Sequence, residues 1–515
     1  MSEQNNIGNN KRIAKNTIML YVRMMFIMIV SLYTSRIVLD YLGITDYGIY
    51  QSVGGFVALL AYVNAALGVG SSRFLTFELG TGNFEKLEKT FSTVLTAHII
   101  LAIIIFVAGE TFGIWFFNNK LVIPEDRISA AMWTYQFSII TCMVNVTQIP
   151  YSATIISHER MSVYAYLSII DGILKLLVVY LLLISTIDKL ILYSALLCIL
   201  QVCISLYYRL YCKRNFAEAH YKPIIYKDIL YSILKYSGWN LLASTSVALC
   251  NHGVIVVMNM FFNPAVVAAR AVANQVNLAA NHFVSSFRTA VNPQIVKKYA
   301  ANEFASSRHL LLTSMKFSFY LMLLISIPIC FVADQILTLW LVEVPEYSTV
   351  FLQFSVCTSL FAVFDLSFYT ALYAKGQIKE NAICSSLCLF IGFIVILIGF
   401  KSGVSPVFAA YVLLISQVVI SLVVKPIMVH KIVGYPITEV YSAIWDCIKV
   451  SIVSIPIPMC VYINRSSIAS NNILLFVILV FISVVSILIS IWLIGLKKTE
   501  KNRIISFFKN KLKMS

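Results

Sequence analysis

The chain is poor in charge. Lys, Arg, Asp and Glu make up only 12% of 515 residues, about half the share of an average soluble domain. A soluble chain of this length could not cover its surface with so few, which excludes an ordinary soluble enzyme and a disordered chain. Acid is scarcer than base, with 23 Asp and Glu against 39 Lys and Arg. No CxxC pair occurs among the 11 cysteines. Most lie inside apolar runs, as Cys142, Cys198, Cys250 and Cys330 do, and read as small buried hydrophobes rather than metal ligands or a disulfide framework. His98, His252 and His282 have no metal-ligand spacing. There is no Walker loop, no HExxH, no nucleophile–His constellation and no connection long enough for a soluble domain. The expectation is neither an enzyme nor an ATP-driven pump, with no cofactor and no metal. The first apolar run is too long for a signal core and no small-residue cleavage site follows it, so it reads as a retained helix.

What is abundant is apolar sequence. Hydrophobic residues make up 59% of the chain, about 304 residues. At roughly 20 residues per membrane helix that supplies about twelve to fifteen spans. Apolar runs bounded by charges and turn residues number fourteen, which predicts an all-α polytopic membrane protein. With an even count both termini lie on one side. Placing them in the cytoplasm puts 28 Lys and Arg on inner connections and ends, against 5 on outer loops, as the positive-inside rule requires. The expected topology is therefore multi-pass with both termini cytoplasmic. The tail, 497–515, alternates Lys and Arg with Ile504, Ile505, Phe508 and Leu512. It reads either as an amphipathic helix on the anionic inner leaflet or as a solvated basic tail.

The longest basic connection, 211–235, divides the first twelve spans into an N-terminal six-helix lobe (1–210) and a C-terminal one (236–429). Helices thirteen and fourteen (430–496) follow. A faint repeat at an offset near 221 sets Leu42-Gly43-Ile44 against Asn263-Pro264-Ala265. Two six-helix lobes in parallel orientation form a common transporter plan, with a site around a central cavity at their interface.

Ionisable groups inside spans are costly and usually face a bundle interior or a wet cavity. In the eighth span Arg270, Asn274, Asn277, Asn281, Ser285 and Arg288 recur at intervals of three and four and share one helical face. The stripe either lines water or hydrogen-bonds between helices. The seventh span carries Asn240 and Asn251 in one register, the second carries Asn64 and Gln51, and the first carries Arg23 and Arg36. These four spans are candidate cavity walls. Their charges, Arg23, Arg36, Arg270 and Arg288, are all positive, so a cavity they line should attract an anion. Guanidinium offers phosphate a bidentate fork and stays charged, so a phosphate or pyrophosphate group is the natural guest. Asp171 and Lys175, four apart on the fifth span, can pair. With Asp365 and Glu110 they are the candidates for ion coupling.

Ser35-Arg36-Ile37-Val38-Leu39, Leu42-Gly43, Asp46-Tyr47-Gly48-Ile49-Tyr50 and Gly54-Gly55 are similar to the opening of Wzx-type polysaccharide flippases, within the multidrug/oligosaccharidyl-lipid/polysaccharide (MOP) exporter superfamily. So are Arg73-Phe74-Leu75, Glu78-Leu79-Gly80, Ala268-Ala269-Arg270, Gln275-Val276-Asn277 and Ala290-Val291-Asn292-Pro293-Gln294-Ile295. The resemblance covers nearly the whole chain. It implies two six-helix lobes around a cavity plus two C-terminal helices. It also implies flipping of an undecaprenyl-pyrophosphate-linked oligosaccharide from inner to outer leaflet for capsule, O-antigen or exopolysaccharide assembly. The location it implies is the bacterial cytoplasmic (inner) membrane. Arg23, Arg36 and Arg270 would meet the pyrophosphate. Implied partners are that lipid, membrane lipids and a polysaccharide polymerase or glycosyltransferases, with no nucleic acid. Two other readings stand beside it: an ion-coupled multidrug exporter, which would want acidic residues in its lumen, and a non-transporting scaffold of a polysaccharide assembly complex.

Overall fold

The computed structural model describes residues 2–158, 160–465, 472–498 and 500–502; most of the basic tail lies outside them. Side chains are described from Arg23 onward, those of 60–66 and a scatter of others, Asn240 among them, excepted. The sequence-expected cavity residues Asn64 and Asn240 therefore lie outside the described side chains. The described residues form helices and no strand. Backbone polar groups cannot stay unpaired in hydrocarbon, and the helix satisfies them within one segment.

The first helix, α1 (Ser2–Thr81), breaks at Gly43, whose φ of 77° and ψ of 170° belong to no helix. A side chain is strained at that φ, which is why glycine stands there. The break separates 2–42 from 44–81 where the sequence predicts an outer turn. After it come α2 (Phe84–Ala108), α3 (Ile114–Lys120), α4 (Ile128–Ser157), α5 (Met161–Leu181), α6 (Lys189–Asn215), α7 (Lys227–Ala248), α8 (Val254–Phe261) and α9 (Pro264–Ala300). The remainder are α10 (Phe304–Trp340), α11 (Ser348–Lys375), α12 (Ile378–Lys401), α13 (Phe408–Val419), α14 (Lys425–Met428), α15 (Ile437–Ser454), α16 (Pro456–Ile463) and α17 (Asn472–Ser490). Asn83 caps α2 by accepting from Lys86 N, and Asp188 caps α6 by accepting from the Leu190 and Ile191 amides.

Twelve described segments are long and apolar enough to cross a membrane, against the fourteen expected. The first of the twelve, Arg23–Leu59, runs through the Gly43 break. The 37-residue α9 is not among them; the polar residues along its length keep its hydropathy low.

The chain divides into two compact units. One comprises 1–275, 341–347 and 385–409, the other 276–340, 348–384 and 410–515. In the first unit the inter-helix connections gather at two ends. At one, Arg127 reaches Asp46 at 2.5 Å and Asp188 at 2.6 Å, tying three loops together. Burial works to raise the Asp188 carboxyl, but the hydrogen bond from Arg127 and those from the Ile191 and Leu190 amides hold it below its ordinary value. Val122, five residues before Arg127, donates its N–H to fully buried Asn259 at 2.9 Å and accepts from it at its C=O at 3.2 Å. A Cβ on Gly48 would fall on the Pro264 carbonyl, so the chain after Gly43 packs backbone to backbone against the start of α9. At the other end His158 meets Glu218 at 2.5 Å and Lys222 meets Glu88 at 2.8 Å. Odd and even connections thus separate, as successive membrane crossings require.

Between these ends α2 carries a π turn, Gly109–Gly113. Its glycines leave room for Tyr135, which donates to Gly109 O at 2.8 Å. The second unit is built on α10, α11, α15 and α17. Phe319 and Phe364 stack at 4.9 Å, and Tyr320 donates to Gly495 O at 3.1 Å.

A cationic cavity in the first unit

A cavity of about 410 Å³ opens in the first unit between the two halves of α1, α5, α6 and Gln275 of α9. Its charged lining is Arg23, Asp171 and Lys175, a net of one positive charge. The rest is neutral and polar, with Thr34, Gln51, Tyr47 and Tyr50 prominent. Arg23 stands at one mouth. Its guanidinium lies 4.5 Å from the Tyr164 ring centroid, a cation–π contact, and Nη2 donates to Tyr164 Oη at 3.5 Å. Lys175 lies eleven residues beyond Tyr164 along α5, about 16 Å at 1.5 Å per residue. It donates to Asp171 at 2.7 Å. The cavity therefore carries cations at two depths.

Three enclosed polar atoms of residues that line this space have no hydrogen-bond partner among the described residues: Arg23 Nε, Thr34 Oγ1 and Asp171 Oδ1. Buried polar atoms are normally paired, and leaving one unpaired costs about 1–3 kcal/mol. The deep end is fixed by aromatic packing, with Tyr50 edge-on to Tyr193 at 5.0 Å. Gln275 of α9 donates to Ser31 of α1.

The remaining sequence-predicted residues fall elsewhere. Arg36 is half-buried and outside the lining. Arg270 is 7% exposed beside Cys250, also outside it. Asn251 is exposed on the π turn Leu249–Gly253, and Asn274 is half-buried. Farther along α9, in the second unit, Asn277 and Asn281 share a network with Ser359, whose hydroxyl donates to Asn277 Oδ1 at 2.8 Å. Ser285 is exposed and bonds its own helix at His282 O, while Arg288 donates to Leu366 O at 2.7 Å. The stripe on α9 is thus divided between the units, and its second half bonds α11. Glu110 accepts from Gln136 at 3.4 Å on the π turn of α2.

Sequence reasoning missed one group outright. Lys425 counted among the inner connections, yet it is 2% exposed and pairs with Asp365 at 2.7 Å. It also bonds Asn381, and the Tyr369 ring centroid lies 5.7 Å away. Gln417 reaches the other Asp365 oxygen at 3.4 Å. Gln417, Ser421 and Lys425 are spaced four apart, a polar face that places Lys425 on the helix rather than after it. Among the described residues no cluster of His, Cys, Asp and Glu could hold a metal ion.

Residues 241–398 match the MatE family model. Among solved structures, the lipid II flippase MurJ in an inward closed conformation aligns with a TM-score of 0.70 at 13% identity, covering 92% of this chain and 97% of that one. An inward-facing multidrug resistance MATE family transporter of the MOP superfamily aligns with a TM-score of 0.66 at 12% identity, covering 82% and 99%. This chain has the MOP transporter fold. A MOP superfamily transporter from Pyrococcus furiosus, described as having a binding pocket of reversed polarity, aligns at 0.59 and 13% identity, covering 83% and 96%. By sequence, no curated protein matches the chain.

Proposed function

We propose that this protein flips an undecaprenyl-pyrophosphate-linked oligosaccharide from the inner to the outer leaflet of the bacterial cytoplasmic membrane by alternating access. The product would feed capsule, O-antigen or exopolysaccharide assembly, with a polymerase or glycosyltransferases as partners. The observation that carries the reading is the cavity whose lining holds Arg23 and Lys175 at two depths against the single carboxylate of Asp171. A pyrophosphate offers acceptors to the Arg23 guanidinium and the Lys175 ammonium, and charge-assisted bonds of this kind are the strong ones. The fold is shared with a lipid II flippase, which supports the substrate class. Arg23 would take the pyrophosphate first and Lys175 would hold it deeper, while the polyprenyl chain stays in lipid.

A cation-coupled drug exporter has the same fold, and Asp171 is the observation in its favour. Lys175 neutralises that carboxylate within one helix turn, and Arg23 would repel a cationic drug. The test is complementation of a flippase-null strain. Arg23→Ala should abolish surface polysaccharide while the protein still inserts. Full complementation by Arg23→Ala together with Lys175→Met sinks the reading, and drug hypersensitivity of the deletion strain with normal polysaccharide would favour the exporter.

A further inference from the structure

Beside the cationic cavity lies a second chamber of about 350 Å³, also within the first unit. The two share Tyr50 and Lys175 in their walls. The second chamber has no charge other than Lys175 at this boundary. Its polar lining comes from Ser138, Thr141 and Asn145 on α4 and Ser194 and Gln201 on α6. Ser138, Thr141 and Asn145 are spaced three and four apart, one face of one helix.

Depth makes this lining informative. α4 has 30 residues, about 45 Å at 1.5 Å per residue, so Asn145, seventeen residues from its start, lies near the middle of a helix longer than the roughly 30 Å hydrocarbon core. Polar side chains there are retained for interhelical bonds or for a wet ligand site. Gln201 does donate to Gln148, at 2.7 Å. Asn145 does not fit that role: it is exposed, and its amide has no partner among the described residues. The hydroxyls of Ser138 and Thr141 spend their protons on carbonyls of their own helices, which leaves oxygen lone pairs to accept, while buried Ser194 bonds Leu190 O and Thr134 Oγ1. The chamber thus offers one amide able to donate and accept, hydroxyl acceptors on α4, and the Tyr50 ring as a wall.

We infer that this chamber is a subsite for a neutral sugar, the one or ones nearest the pyrophosphate. The inference rests on the proposed function. Neutral hydroxyl-rich groups match a lining of amides, hydroxyl oxygens and an aromatic ring, and the shared Lys175 and Tyr50 set the sugar directly beyond the anion. Arg23 and Lys175 thereby read the common part of the substrate, and Asn145 and Gln201 read the variable part.

The test is binding of two probes to the purified full-length protein in nanodiscs: undecaprenyl pyrophosphate, and the same lipid carrying one N-acetylglucosamine. The wild type should bind the glycosylated lipid about tenfold more tightly, the equivalent of one good hydrogen bond. Asn145→Leu and Gln201→Leu should each bring that ratio close to one while changing affinity for the bare lipid less than about twofold. Asn145→Ala and a thermal unfolding scan guard against misfolding. Equal wild-type affinity for both lipids overturns the sugar subsite and leaves the flippase reading standing, as does an equal loss of both lipids in folded Asn145→Ala. Failure of either lipid to bind overturns both.

Discussion

Of the Lys–Asp pairs on the described membrane helices, Asp171–Lys175 and Asp365–Lys425 differ in almost everything except chemistry. Asp171 and Lys175 are one turn apart on α5, with side chains 26% and 45% exposed to a cavity. Asp365 and Lys425 come from α11 and α14, with side chains 22% and 2% exposed, and are enclosed by Asn381, Gln417 and Tyr369. The first pair leaves Asp171 Oδ1 unbonded; the second has a partner for both carboxylate oxygens. An ion pair that is finished holds helices together, and one that is unfinished is free to act on a ligand. Exposure and satisfaction distinguish the two, where residue type does not.

The widest separation should come from breaking the enclosed pair. Asp365→Leu leaves an ammonium buried alone and should destabilise the protein by about 3–5 kcal/mol, read as a large drop in thermal midpoint in detergent. The double variant Asp365→Leu/Lys425→Met should recover most of that loss. If Asp365→Leu is as stable as wild type, the pair is not the structural one. Next in size is the cavity itself. Arg23→Ala removes a charge-assisted donor worth roughly 1.5–3 kcal/mol, so undecaprenyl pyrophosphate binding should weaken by about ten- to a hundredfold with little change in thermal midpoint. Isothermal titration and a melt on one preparation settle it.

Acid should then divide the ion pairs by position. Asp188 has its carboxyl held below the ordinary value. Its contribution is present above the unfolded carboxyl pKa of about 3.9 and is lost as pH falls through the lower folded value. Asp188→Asn should flatten this acid limb of the stability curve in unfolding at stepped pH. Smallest is the effect of the cavity pair on folding. A pair one turn apart contributes about 0.2–0.5 kcal/mol, so Lys175→Met should leave the melt nearly unmoved. A loss above about 2 kcal/mol would put it in the same class as Lys425.

The membrane class and the helical architecture were legible because bilayer thickness imposes a length and an apolar composition that a sequence displays directly. Gly43 was legible as a turn for the same reason. The site was legible in part. Arg23 and the Asp171–Lys175 pair were read separately, and the structure joins them in one lining. The Arg270–Arg288 stripe was correct as a helical face, but a face does not name what it meets: Arg288 bonds a backbone carbonyl, and Arg270 packs beside Cys250. Lys425 was misplaced because a lysine near the end of a span reads as an inner-connection charge, and the composition does not show that it turns inward to Asp365. The π turns at Gly109–Gly113 and Leu249–Gly253 leave no periodic signal of their own. The basic linker 211–235 does not coincide with the division into compact units, since 236–275 packs with the first.

Asn259 sets a different kind of limit. Its amide pairs with both the N–H and the C=O of Val122, imitating one rung of a β-ladder with a side chain in place of a second strand. Such a rung fixes register. The segment after Lys120 cannot slip by a single residue without forfeiting both bonds at once, because the next residue presents its peptide groups the other way. Any rearrangement at that point must release the loop whole, so its position should be discrete rather than graded.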